Sequence, residues 1–128
     1  MTALQDEWAR CRDWIAAALP AHLYAIEDIE RGIADGGMQF WPGEHCAAVT
    51  EFALYPNCKV LNVLAAGGKK GRALKALTRE LEPCLLEWAR ASDCKYVMGF
   101  GIHDGWKPVT GAMGYAFQWL VMIKEVKD

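Results

Sequence analysis

The residues best placed to do chemistry in this chain of 128 residues lie between Val60 and Tyr115. An apolar strand runs into Gly67-Gly68-Lys69-Lys70-Gly71-Arg72-Ala73, and a long amphipathic helix follows. A diphosphate needs several donors close together and no side chains in its way. Glycines at 67, 68 and 71, with the free N–H groups and positive dipole of a helix start, answer that need. Lys69, Lys70 and Arg72 add charge. The stretch reads as a binding loop for a nucleotide or coenzyme; the alternative is a plain strand-to-helix turn with solvated basic side chains. Three more residues are candidates for handling protons. Glu51 shares a strand face with Ala47, Val49 and Ala53, an apolar setting in which desolvation raises a carboxylate pKa; the alternative is hydration at a strand end or pairing with a lysine. His103 and Asp104 stand in the loop after a later strand, where parallel strands expose ligand-facing groups. The alternative for the histidine is simple solvation.

The elements that must position these residues follow from periodicity and turn chemistry. Trp8, Cys11, Trp14-Ile15 and Ala18-Leu19 recur at three- and four-residue spacing and Pro20 closes the pattern, predicting a helix over residues 3–19. A second helix is expected from about 23 to 34, ending at Asp35-Gly36-Gly37. Met38–Trp41, Cys46–Leu54 and Lys59–Ala65 read as a three-stranded meander divided by Pro42-Gly43 and Tyr55-Pro56-Asn57. The two later strands do not alternate cleanly between apolar and polar, as expected where both sheet faces are covered. Leu74, Leu77, Leu81, Leu85, Trp88 and Ala89 form a helical stripe over 72–91. Pro83 requires either a kink there or a break with the proline in the first turn of a new helix. A strand over 95–100, a loop from Ile102 to Trp106, a short helix over about 107–113 and a last strand over 115–126 complete the chain. There is no internal repeat and no low-complexity stretch.

Composition narrows the class. A chain of this length, 53% hydrophobic, is expected to form one domain over residues 1–128, with a helical part over 1–37 and a sheet and crossover-helix core over 38–128. The net charge of −2 does not favour nucleic acid as a partner. Cys11, Cys46, Cys58, Cys84 and Cys94 are odd in number, lack C-x-x-C spacing and sit among apolar residues, so they are expected to be reduced core residues, Cys84 included, in a cytoplasmic protein. No apolar run approaches a membrane span, so neither export nor membrane anchoring is expected. His45 and Cys46 are adjacent and point to opposite faces of a strand, which argues against a metal site. Tyr96, Tyr115 and the tryptophans are expected to pack; for Trp41 and Trp106 the alternative is the lining of a cleft or an interface.

The element order resembles the GNAT acyltransferase superfamily over residues from about 46 to 126. In that family the central strand ends in Gln/Arg-x-x-Gly-x-Gly/Ala before a helix; Gly68-Lys69-Lys70-Gly71-Arg72-Ala73 keeps Gly71 and Ala73, with Gly68 in place of Gln or Arg. Gly114-Tyr115 stands where the family has Gly-Phe or Gly-Tyr. The chain also looks like the short GNAT-like proteins of tailed phages and prophages, in Tyr55-Pro56, Ala66-Gly67-Gly68, Trp88-Ala89-Arg90, Cys94 and Gly105-Trp106.

The resemblance implies an α/β domain with a mixed, mostly antiparallel sheet, helices on both faces and one right-handed parallel crossover. It implies acyl transfer from acetyl-CoA or another acyl-CoA to an unidentified amine, with the coenzyme held by Gly67, Gly68, Lys69, Lys70, Gly71, Arg72 and Ala73. Such transfer needs a neutral amine, hence a general base. Glu51 is the first candidate, His103 and Asp104 the second. The tyrosine that many members carry four residues before the Gly-Phe pair, as acid toward the thiolate, is here Thr110. That departure, with Gly68, keeps open a non-catalytic phage protein acting as a virion or host-interaction component, in the host cytoplasm. A homo-oligomeric or virion protein partner also stays open.

Overall fold

The computed structural model describes residues 3–99, 111–112, 114–116 and 124–126. His103, Asp104, Gly105-Trp106 and Thr110 lie outside the described residues. Helix α1 spans Ala3–Ala18 and α2 Ile26–Asp35; strands β1, β2 and β3 span Met38–Pro42, Cys46–Leu54 and Lys59–Gly68. A continuous helical run follows, made of α3 (Ala73–Ala76), a π turn (Leu77–Leu81) and α4 (Glu82–Ala91), and β4 spans Tyr96–Gly99. The strands lie in the order β1-β2-β3-β4. β1, β2 and β3 form the antiparallel meander read from the sequence, and β4 joins β3 in parallel. This is a mixed α/β arrangement.

Residues Cys46 to Val49 are all 0% exposed, which explains why β2 shows no alternation. Neighbouring strand residues point to opposite sides. Ala47 and Val49 pack with Cys11 and Ile15 of α1, Ile29 of α2, and Ala65. Cys46 and Ala48 pack with Ala76, Leu77 and Leu81 of the helical run, and Leu61 packs with Leu85 and Ala89. Burial pushes the Cys46 thiol up to about 12, with Glu80 and Cys11 adding to the effect and Arg10 opposing it.

Helix α2 begins later than periodicity suggests because Pro20 captures the chain first: its carbonyl accepts the Leu23 and Tyr24 amides at 2.8 and 3.1 Å. The Asp28 carboxylate then accepts the Ala25 N–H at 2.9 Å and fixes the helix start. Glu30 ties the two helices together, accepting from Trp8 Nε1 at 2.8 Å and Arg12 Nε at 3.1 Å. The hydrogen bonds from Arg12 and then Trp8 hold its carboxyl below the usual range.

Of the two expectations for Pro83 the second holds in part: the proline opens a new helical segment, although the helical run is continuous there. It stands in the first turn of α4 with a π turn just before it, in which the Glu82 N–H bonds to the Leu77 carbonyl. A proline in a regular helix collides with the carbonyl four residues back, here that of Arg79, and the wider turn relieves the clash. Two packing expectations are corrected, those for Cys84 and Tyr96. Cys84 is exposed, its Sγ 3.9 Å from the Glu80 carbonyl, because it lies off the Leu81-Leu85-Ala89 face. Tyr96 is 55% exposed at the start of β4, and Trp88 lies at the flank of the stripe, stacked on Phe52 and edge-on to Trp41. Most of the expected last strand, residues 117–123, lies outside the described residues; at its ends Tyr115, Ala116 and residues 124–126 are outside any strand. A turn closed by Gly114 N–H to Gly111 precedes the first two, and Lys124 to Val126 are solvated.

Leu85 is 5% exposed and Leu77 9% exposed at the centre of the helix–sheet contact. Leu→Ala at either position is expected to cost about 2–5 kcal/mol in urea unfolding; wild-type midpoints for both variants would contradict the assignment of this face.

Candidate functional site

Strand β3 does two things that open a site beside it. It pairs with β2 along its whole length, down to Cys46↔Gly68, but with β4 only from Val60 to Val63. From Leu64 to Gly68 its β4-side edge has no strand partner among the described residues. The register with β2 also shifts here: Val49 faces Ala65 and Thr50 faces Val63, leaving Leu64 as an extra residue. Such a bulge bends the strand and reverses which residues face which side. Accordingly Leu61 and Val63 face α4, whereas Leu64 and Ala65 belong to the α1 layer.

The strand extends three residues beyond expectation, so Gly67 and Gly68 are strand and the loop proper is 69–72. Their lack of a side chain is explained by packing. A Cβ on Gly67 would lie 2.7 Å from the Trp14 carbonyl oxygen, and one on Gly68 would lie 2.4 Å from the His45 carbonyl oxygen and 2.8 Å from Cys46 Cα. Gly71 has a different reason: its φ is +80° and nothing lies within 4 Å of a Cβ there. Only the left-handed turn requires glycine at that point.

Two of the loop amides are used internally. Lys69 N–H donates to the His45 carbonyl at 2.8 Å and Arg72 N–H to the Lys69 carbonyl at 2.9 Å. The amides of Lys70, Gly71 and the first residues of α3 have no backbone partner among the described residues, and Arg72 offers no side-chain cap. Free amides converging at a helix start, with exposed Lys69, Lys70 and Arg72 around them, form an arrangement suited to an anion. Ala73 opens the helix.

The loop is held by a clamp that no sequence pattern reveals. Glu80, in the π turn, accepts the N–H of Glu44 at 2.5 Å and of His45 at 3.2 Å, and its other oxygen lies 3.2 Å from His45 Nδ1. On the other side Arg10 donates to the carbonyls of Gly43 and Glu44 at 2.6 and 3.1 Å. The β1–β2 turn thus has its amides held by an anion and its carbonyls by a cation, and its His45 carbonyl fixes the loop through Lys69. Burial would raise the Glu80 carboxyl, but the hydrogen bonds from His45 and Glu44 outweigh it and hold it below the usual range. These contacts span more than thirty positions of sequence, and nothing local marks them.

Glu51 lies on β2 opposite Met38 and Asn62, half-buried, with no ion pair or hydrogen bond among the described residues. Asn62 Oδ1 is buried without a hydrogen-bond partner. Glu51 is five positions along β2 from the level of Gly68, about 17 Å at strand rise. The loop and Glu51 thus sit at two ends of one strand pair and do not touch. The Tyr115 phenol is half-buried, and burial, with Glu82 contributing, raises its pKa. Among the described residues no group of three or more His, Cys, Asp or Glu is placed to hold a metal, and no helix is long and apolar enough to cross a membrane.

No protein-family model matches the sequence, and a search of curated proteins finds no significant match. Solved structures do match. A Trypanosoma brucei acetyltransferase superposes with a TM-score of 0.60 at 13% identity, over 79% of this chain and 78% of its own. The Thermus thermophilus protein TTHA1254 superposes with a TM-score of 0.61 at 16% identity, over 96% and 92% of the two chains. The chain shares their fold, and that fold is GNAT-like.

Two outcomes follow from this geometry. Gly68→Ala should destabilise the protein by at least the ~1–3 kcal/mol usual for overpacking, because both obstructing groups are backbone; Gly71→Ala should cost only the ~1–2 kcal/mol of a left-handed alanine. The depressed Glu80 carboxyl stabilises the fold above the ordinary carboxylate pKa, and that contribution is lost as pH falls through its folded-state value. Glu80→Gln should therefore lower the urea midpoint at pH 7, with the difference from wild type closing in acid. A constant difference from pH 7 to pH 3 would contradict an ionised clamp.

Proposed function

We propose that this chain is an acyl-CoA-dependent N-acyltransferase, with acetyl-CoA or another acyl-CoA as co-substrate. The observation that carries the reading is the coincidence at the end of β3 of a strand edge, Leu64–Gly68, and helix-start amides that both lack backbone partners among the described residues, in a fold shared with an acetyltransferase. The diphosphate sits on the amides at 70, 71 and the start of α3, with Lys69, Lys70 and Arg72 around it; Gly67 and Gly68 serve by bringing the strand close enough. The amide-bearing arm of the coenzyme lies along the Leu64–Gly68 edge as an added strand would. The approximate 17 Å between loop and Glu51 is then spanned by that arm.

In the reaction, Glu51 removes a proton from the acceptor amine, whose nitrogen attacks the thioester carbonyl. The carbon–sulfur bond breaks, the acyl group stays on nitrogen, and the thiolate leaves to take up a proton. His103 and Asp104 remain the second candidates for the base. The reading includes helices on both sheet faces, a right-handed β3–β4 crossover, a cytoplasmic setting and an amine acceptor. A second reading is a phage or prophage protein that keeps the fold without catalysis as a virion or host-interaction component; only its non-catalytic part draws on a finding, that Gly67 and Gly68 are required by packing whether or not a ligand binds.

Acetyl-CoA at millimolar concentration is expected to raise the melting temperature, since it binds the folded state only. Gly71→Glu should abolish the shift by placing a negative charge at the phosphate. Gly71→Asn, which tolerates the same backbone conformation, should keep most of it. No shift in the wild type would overturn the coenzyme reading in favour of the second one. With an acceptor in hand, Glu51→Gln should lower turnover by ~10²–10⁴ with coenzyme affinity almost unchanged; an unaltered rate would move the base elsewhere.

A further inference from the structure

We infer that the outward flank of the helical run, at Lys75 and Arg79, is a second phosphate site that selects the 3′-phosphorylated form of the coenzyme. The inference rests on the coenzyme reading above and names residues outside the loop already assigned. Lys69, Lys70, Arg72, Lys75 and Arg79 are five of the fourteen basic residues of a chain with a net charge of −2. No Asp or Glu occurs between Glu51 and Glu80. All five are exposed, and among the described residues none has an ion-pair partner.

A merely solvated helix face interleaves acids with its bases, and Lys75 and Arg79, four apart, repel each other. The concentration of unpaired charge is therefore one that an anion would relieve. Spacings of three and four put Arg72, Lys75 and Arg79 on one flank, opposite the buried Leu77 and Leu81. Lys75 and Arg79 stand about one and two helical turns, ~5 and ~11 Å, beyond the loop. The diphosphate is already served by the loop amides and its three cations. The next anionic group of the coenzyme along the nucleotide is the ribose 3′-phosphate, and a long lysine or arginine side chain reaches over such a distance. The basic run is short and solitary in an acidic protein, which fits one compact polyanion rather than a nucleic-acid backbone.

Calorimetric titration of the full chain with acetyl-CoA and with 3′-dephospho-acetyl-CoA tests this. Acetyl-CoA is expected to bind about tenfold tighter or more, as one to two charge-assisted hydrogen bonds provide. The double variant Lys75→Gln/Arg79→Gln should lose that preference by weakening acetyl-CoA alone, while melting like wild type without ligand because both residues are solvated. Equal affinity of wild type for the two ligands, or equal weakening of both in the variant, would overturn the second site and leave the loop reading standing. Binding of neither ligand would overturn both.

Discussion

The tightest constraint in this molecule is the approach of backbone to backbone at the end of the β2–β3 pair. Gly68 lies so near His45 and Cys46, and Gly67 so near the Trp14 carbonyl, that neither position has room for a single extra carbon. That approach brings the C-terminal part of α1 down onto the strand and carries β3 past the last residue it shares with β4. The position of the following loop is thus set by sheet pairing and helix contact, elements with little freedom, and its own residues need only turn the chain at Gly71. A site built on such a support is held more tightly than one carried by a free loop.

Charge complements this packing. The β1–β2 turn has amides and carbonyls that no strand partner takes up, at an exposed to half-buried end of the sheet where side chains can satisfy them. Arg10 comes from α1 and Glu80 from the helical run, whose apolar residues pack on alternate residues of β2. Each supplies the sign that the turn lacks on its side. The side chain of Arg10 is itself oriented by Glu7, and that hydrogen bond, against the desolvation that opposes it, favours the charged guanidinium. Side chains from α1 and the helical run therefore determine where His45 presents its carbonyl to Lys69.

How much of this is legible in the sequence depends on the range of the cause. β2 can be read residue by residue, since Pro42-Gly43 and Tyr55-Pro56-Asn57 punctuate it and its apolar run needs no partner to be recognised. The order of strands and the parallel step from β3 to β4 follow from the helix between them. The bulge at Leu64 leaves no such mark, because it exists only relative to the register of β2. Cys84 looks like a core residue among leucines, but a helix places it off the face that Leu81 and Leu85 share. The loop is visible in the sequence, while the role of its first two glycines is not: a gap beside a strand and a gap for a phosphate call for the same residue. Glu51 stands out in the sequence for the small apolar residues around it, but Asn62, its neighbour across the strands, whose Oδ1 has no partner among the described residues, can be seen only once the register is known.

The π turn at Leu77–Leu81 gives the helical run one residue more than a regular helix of the same length would hold. The surplus is absorbed within a single wide turn, so it does not rotate what comes after. Leu85 and Ala89 meet Leu61 as though the helix were uninterrupted, while Glu80 is swung toward the neighbouring turn. The helix therefore has two independent phases. The first half is held by Cys46 and Ala48 of β2 and the second by Leu61 of β3, and the wide turn between them lets Glu80 aim at the β1–β2 turn while both halves stay packed.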